Sequence, residues 1–267
     1  MPARGRLILA GTALVGRRIL VTRPAAQATV LAAAITAEGG EALCFPLIDI
    51  APASDPAPLA AFVAARGEYA LAVFVSPNAV EHCLPALQAA GGWPPSLVAV
   101  GVGPGTAARL ADFGVPARTP ARRFDSEGML ELPELQPVAV SGRRVAIVRG
   151  DGGRELVADT LATYGARVDA VPCYRRLAPR DAAPLVSWLR NRQLDAVTLS
   201  SSEGLRNLFA LLNTETVAQL AQLPCFVPHP RIAETAIGLG LERIILTEAA
   251  DAGLLRALRE FCWPDHE

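Results

Sequence analysis

The chain repeats itself, and the repeat limits what it can fold into. Ile19 to Pro46, ILVTRPAAQATVLAAAITAEGGEALCFP, aligns without a gap on Val145 to Pro172, VAIVRGDGGRELVADTLATYGARVDAVP. Arg23 falls on Arg149, Gly39 on Gly165 and Pro46 on Pro172. Further pairs follow in the same order. Ala72 to Val80 answers Val197 to Leu205, Pro104 and Gly114 answer Pro230 and Gly240, and Gly128-Met129-Leu130 answers Gly253-Leu254-Leu255. The offset stays within one residue of 126 throughout. A collinear set of this kind is an internal duplication, and 267 residues then suit two medium domains better than one large one.

Each copy reads as strand, turn, helix, strand. Val145 to Val148 is a short apolar run, broken by Arg149-Gly150-Asp151-Gly152-Gly153. The glycines permit a tight turn and close approach of a ligand to backbone N–H groups. Arg154 to Tyr164 has helical spacing, Gly165 supplies a stop, and Val168 to Val171 is a strand expected to end at Pro172. Ala70–Val75, Leu97–Val100, Ala196–Leu199, Cys225–Val227 and Ile244–Leu246 are further strands, with helices between them. This alternation predicts an α/β protein with doubly wound parallel sheets covered on both faces. Ligands of such sheets bind beyond the carboxyl ends of the strands, where these turns lie.

Composition removes several function classes. A net charge of −1 and a pI near 6.3 argue against a nucleic-acid partner. Cys44, Cys83, Cys173, Cys225 and Cys262 have no CxxC spacing and read as free, buried thiols of a reducing compartment. The three histidines are far apart, so no metal site is expected. No apolar run reaches a membrane span, so no membrane partner is expected and a cytoplasmic location is. Residues 1–16 faintly resemble a secretory signal, but Arg17-Arg18 follow at once and a strand begins at Ile19; they read as an N-terminal extension.

The turns carry the candidate chemistry. Gly101-x-Gly103-x-Gly105-Thr106 lacks dinucleotide spacing and reads as an amide nest for an anion or as a plain structural turn. Its counterpart, His229-Pro230-Arg231, offers charged donors instead, or a surface histidine. Ser76 and Ser201 sit at matching strand ends and suit helix caps. Neither lies in a G-x-S-x-G elbow, so a serine nucleophile is not expected. Arg23, Arg149 and Arg154 suit carboxylates, or are ordinary surface charges.

Taken together the pieces resemble the uroporphyrinogen-III synthase family. The resemblance is carried by Leu20-Val21-Thr22-Arg23-Pro24, Phe45-Pro46-Leu47-Ile48, Phe74 to Val80, Val100 to Thr106 and Ser126-Glu127-Gly128. It continues through Val148 to Glu155, Tyr174-Arg175-Arg176, Ser200 to Leu205 and His229 to Ala233, and so covers Arg17 to Phe261. It implies two flavodoxin-like domains joined by a two-stranded connector, the chain crossing twice. Residues 17–48 with 174–262 would form one domain and 49–173 the other, with Leu47–Ile50 and Pro172–Arg175 as the connector.

The implied reaction needs no cofactor. Hydroxymethylbilane, a linear tetrapyrrole octacarboxylate, would lose its hydroxyl as water and close with ring D inverted. The resemblance implies binding by Arg23, Ser76, Asn78, Ala79, Gly103, Thr106, Arg149, Gly150, Arg154, Ser200, Ser201, Ser202, His229 and Arg231. It makes Tyr174 the catalytic candidate, a phenol that donates to the departing hydroxyl; packing at a domain junction is the alternative. A monomer is expected, and direct transfer from hydroxymethylbilane synthase is left open. The competing function is a two-domain binding protein for an anionic metabolite, without chemistry.

Overall fold

In the computed structural model, residues 13–152 and 155–264 are described. Arg154, and residues 1–12 of the expected extension, lie outside them. Leu14, also assigned to the extension, is fully buried, so the core reaches back before Gly16.

The chain forms two compact units. One is built from the chain up to Asp49 and from Leu177 onward, the other from Ile50–Arg176. Among the described residues eleven strands are formed: β1 (Arg18–Val21), β2 (Glu41–Cys44), β3 (Asp49–Pro52), β4 (Leu71–Phe74), β5 (Val98–Gly101), β6 (Ala117–Arg118), β7 (Arg144–Gly150), β8 (Arg167–Leu177), β9 (Ala196–Thr198), β10 (Cys225–Val227) and β11 (Ile244–Leu246). The first unit holds a sheet in the order β11-β10-β9-β1-β2, and the second a sheet in the order β3-β8-β7-β4-β5-β6.

Taken from β6, the second sheet runs β6-β5-β4-β7-β8. Shifted by the repeat offset, that is the order of the first sheet, with β3 added at one edge. Each sheet therefore draws its strands from both copies. Ile19 of β1 pairs with Ala196 of β9, and Leu71 of β4 with Val145 of β7, both in parallel. The duplication boundary is not the domain boundary.

Both faces of each sheet are buried, as short apolar strands demand. In β1, Ile19 and Val21 face one cluster and Leu20 the other. In β4, Leu71 and Val73 face one cluster while Ala72 and Phe74 face the other. Side chains alternate between faces at period two, and each fully enclosed Leu, Ile, Val or Phe contributes about 1.5–3 kcal/mol.

Three expectations differ from the fold. Helix Thr214–Ala221, opened by a reciprocal Asn213–Thr216 capping box, is absent from the sequence reading. Cys44 and Cys262 are exposed, and only Cys83, Cys173 and Cys225 are buried. Burial pushes the Cys173 and Cys225 thiols up to about 12, which makes them inert.

The third is Pro172, which does not end its strand: β8 continues to Leu177. The reason is a bulge. Arg149 pairs with Pro172 but Gly150 pairs with Tyr174, and the register shifts between them. A residue without an N–H is tolerated where the ladder is already interrupted. Past the bulge, Asp151 N–H donates to Tyr174 O at 2.7 Å. Tyr174 therefore belongs to β8 and to the unit of Ile50–Arg176, not to the returning segment.

At the opposite end of β7 and β8, Tyr69 Oη donates to Asp169 at 2.8 Å and Arg144 Nε donates to the same oxygen at 2.7 Å. Burial pushes the Asp169 carboxyl up, but these two hydrogen bonds outweigh it and leave the group below its ordinary 3.8. A lowered folded-state value means stability that is present above 3.8 and lost as pH falls through the folded value. The carboxylate is 43% exposed, so solvent screening holds its contribution to about 0.5–1 kcal/mol. Asp169→Asn is expected to lower the melting temperature at neutral pH, and the gap from the parent should close as pH is taken below 3.8. A gap that stays constant with pH would mean that the ionised form contributes nothing.

Candidate functional site

The carboxyl ends of β4 and β7 converge on Tyr174. Its side chain is 1% exposed, and its hydroxyl lies 3.1 Å from Ser76 Oγ. Ser76 caps helix Pro77–Ala89, accepting from Ala79 N–H at 3.0 Å. It has a second lone pair for the phenol. Arg176 Nη2 donates to the phenol oxygen at 3.4 Å, and its guanidinium also lies over the ring at 5.9 Å. His82, from the helix that Ser76 caps, stacks on the same ring, with centroids 5.9 Å apart and planes 30° apart.

Gly150 makes room for the ring. A Cβ there would stand 2.8 Å from Cε2 and Cζ of Tyr174. Its backbone is not in the left-handed region, so close approach alone accounts for the glycine. Arg149, 7% exposed, is fixed beside it: Nη1 donates to both carboxylate oxygens of Glu155 at 2.8 and 2.9 Å, and Nε to Gly152 O at 3.2 Å. Val75, Ser126, Arg149, Gly150, Tyr174 and Arg176 line a cavity of about 340 Å³. A second cavity of about 350 Å³, lined also by Glu155 and Pro172, shares the wall formed by Arg149 to Gly152 with the first. A more voluminous cavity, about 600 Å³, lies instead beside Trp188, Leu194 and Leu223, at the amino ends of β9 and β10. It holds no phenol and no paired guanidinium, so chemistry rather than volume selects the Tyr174 cavity.

The other expected site residues separate into two groups. In the unit of Tyr174, Ala79 is fully buried with its N–H committed to Ser76, while Asn78 is half-buried in the first turn. Gly103 caps helix Pro104–Asp112, and a Cβ there would stand 2.9 Å from Phe124. Thr106 is 2% exposed and packs against Gly101. In the other unit, Ser201 caps helix Ser202–Leu211 through Gly204 N–H at 2.9 Å, as Ser76 does in its copy. Ser202 Oγ accepts from Thr235 at 3.0 Å and donates to Arg231 O at 3.5 Å; Ser200 is half-buried. Arg23 Nη1 lies 2.6 Å from Asp251 Oδ1.

At His229, which the sequence offers as a charged donor or a surface histidine, Nδ1 accepts from Arg231 N–H at 3.1 Å as the cap of helix Pro230–Gly238. The cap commits Nδ1 to the backbone, so Nε2 is the ring nitrogen that remains for a ligand, beside the exposed Arg231. His82, Arg176 and Glu155 are site neighbours to which the sequence reading assigns no role. Arg176 and Glu155 lie inside motifs already marked, whereas nothing local points to His82.

Among the described residues, no cluster of His, Cys, Asp and Glu could hold a metal ion, and no helix is long and apolar enough to cross a membrane. What the Tyr174 cavity offers is a buried hydroxyl within hydrogen-bond reach of a guanidinium, beside a second, paired guanidinium. That set suits an anionic ligand and a proton donated at one fixed point.

A family model for uroporphyrinogen-III synthase HemD matches residues 29–256. The uroporphyrinogen-III synthase of Escherichia coli (strain K12) is 36% identical over 248 residues, covering 90% of this chain and 99% of that protein. That of Synechococcus elongatus is 34% identical over 205 residues, covering 74% and 76%. Among solved structures, a mutant uroporphyrinogen III synthase of the extremely thermophilic bacterium Thermus thermophilus superposes with a TM-score of 0.59 at 16% identity, covering 91% of this chain and 98% of that one. The Helicobacter pylori enzyme gives 0.56 at 13%, covering 90% and 97%. The solved structures share the fold; the sequence matches carry more, and on them this chain belongs to the uroporphyrinogen-III synthase family.

Proposed function

We propose that the protein closes hydroxymethylbilane to uroporphyrinogen III with loss of water, as a carbon–oxygen lyase of tetrapyrrole biosynthesis. The bilane's hydroxyl leaves with a proton as water. Ring D is attacked at its substituted carbon to give a spiro intermediate. Fragmentation and reclosure then leave ring D inverted. Left alone, the bilane closes to the symmetric isomer I, so the enzyme's work is to hold a reactive chain in one geometry. Positioning then outweighs side-chain acid–base catalysis.

The observation that carries the reading is the Tyr174 hydroxyl on the wall of a cavity flanked by Arg149 and Arg176. The phenol is neutral as a donor and would protonate the departing hydroxyl. The Arg176 guanidinium would stabilise negative charge as it develops on the phenol oxygen. Arg149, Arg23 and Arg231 would take substrate carboxylates, with helix-capping turns adding backbone donors. No cofactor enters this scheme. The protein would act as a cytoplasmic monomer.

The test supplies purified protein with freshly generated hydroxymethylbilane, oxidises the products and separates the porphyrin isomers. Predominant isomer III is expected. Isomer I at the rate of the protein-free control would remove the catalytic reading and leave a binding protein. Gly150→Ala is a companion test, because its Cβ would push the Tyr174 ring off Ser76. It should cost about 1–3 kcal/mol of stability through overpacking and lower kcat more than it raises KM. Undiminished kcat would mean that the placement of the ring is irrelevant to turnover.

A further inference from the structure

Both strand-end arginines of the duplication are held by carboxylates of the chain itself. Arg149 is paired with Glu155, and its counterpart Arg23 with Asp251. The two partners do not correspond. By the repeat offset of 126 Glu155 falls on Thr29, and Asp251 falls on Asp125, not on Glu155. The same pairing is thus reached at equivalent arginines by unrelated acids, which points to a shared requirement rather than inherited geometry.

The requirement is electrostatic. A guanidinium cannot discharge, and a buried one left unpaired is strongly destabilising. An arginine that is buried and kept ready for an anion therefore needs a counter-ion while the site is empty, and that counter-ion must be able to leave. Glu155 meets both conditions. It holds Arg149 through both oxygens, yet its own side chain is 56% exposed and lies on the rim of the adjoining cavity. Turning it out to water costs little of its solvation.

We propose that Glu155 is a placeholder. Its carboxylate occupies the seat of a substrate carboxylate on Arg149 and is displaced to water when the substrate arrives. The inference rests on the cavity being the substrate site. Arg149 stays paired throughout the exchange, so the fold never carries a bare buried cation. Binding at this seat is then a difference between two carboxylates on one guanidinium, and a polyanion anchored elsewhere wins through its effective concentration.

The test is Glu155→Gln, which keeps shape and one acceptor for Arg149 but removes the charge. KM for hydroxymethylbilane should fall roughly two- to fivefold, the worth of a half-exposed ion pair. Asp151→Asn removes the same charge from the same loop without touching Arg149, and its effect on KM should be smaller. A higher KM for E155Q would make Glu155 a positioning residue for Arg149, and an unchanged KM would mean that no exchange occurs. Equal effects of the two variants would assign the change to the general field. Each of these overturns the placeholder. Titration with uroporphyrin III, an octacarboxylate followed by its fluorescence, gives the same comparison without turnover. Tighter binding to E155Q than to parent supports the exchange, and equal or weaker binding overturns it, even if the parent fails to make isomer III.

Discussion

Everything at the site depends on how closely one backbone approaches one ring. Gly150 lies against Tyr174 at a distance where a Cβ would be 2.8 Å from the ring carbons. The approach is made possible by the bulge opposite Pro172, which advances β8 by one residue against β7 and carries the strand through a proline expected to stop it. With β8 extended, Tyr174 reaches the cap of the helix after β4, and Arg176, two residues on, reaches the phenol oxygen. Without the bulge the phenol and Arg176 would both stand elsewhere along the strand, and Ser76 and Arg149 would flank an empty position.

The crossed duplication explains why two sets of anion-suited turns exist at all. Each sheet is completed by strands from both copies, so equivalent strand ends recur in both units with equivalent caps: Ser76 and Ser201, Gly103 and His229. The copies have since diverged in chemistry. Backbone donors at Gly103 are matched by a histidine cap and an exposed arginine at His229 and Arg231. The β1–β9 and β4–β7 pairings join residues far apart in the chain, so closing either sheet carries the loop-closure entropy of a long intervening segment.

Much of this was legible in the residues. The strands at Leu71–Phe74 and Cys225–Val227, the Ser76 and Ser201 caps and the glycine stops all follow local rules of propensity and capping. What escaped was pairing at a distance. A proline reads as a strand end because its missing N–H is local information, while the compensating bulge belongs to a neighbouring strand. Arg149 and Arg23 read as free cations because nothing local says that Glu155 and Asp251 turn toward them. The capping role of the His229 ring depends on one backbone N–H two residues away, a geometry that residue type does not reveal.

The central claim is that the Tyr174 hydroxyl acts on the reacting substrate rather than packing the strand end. Tyr174→Phe tests it directly, since the ring and its contacts with Gly150 and His82 are kept while the bonds to Ser76 and Arg176 are lost. Steady-state turnover of hydroxymethylbilane by the variant should show kcat reduced about ten- to a hundredfold, the low end for assistance to a leaving group. KM should change little, as for an interaction made mainly in the transition state, and isomer III should remain the enzymatic product. Turnover at the parental rate would contradict the account and make Tyr174 a packing residue.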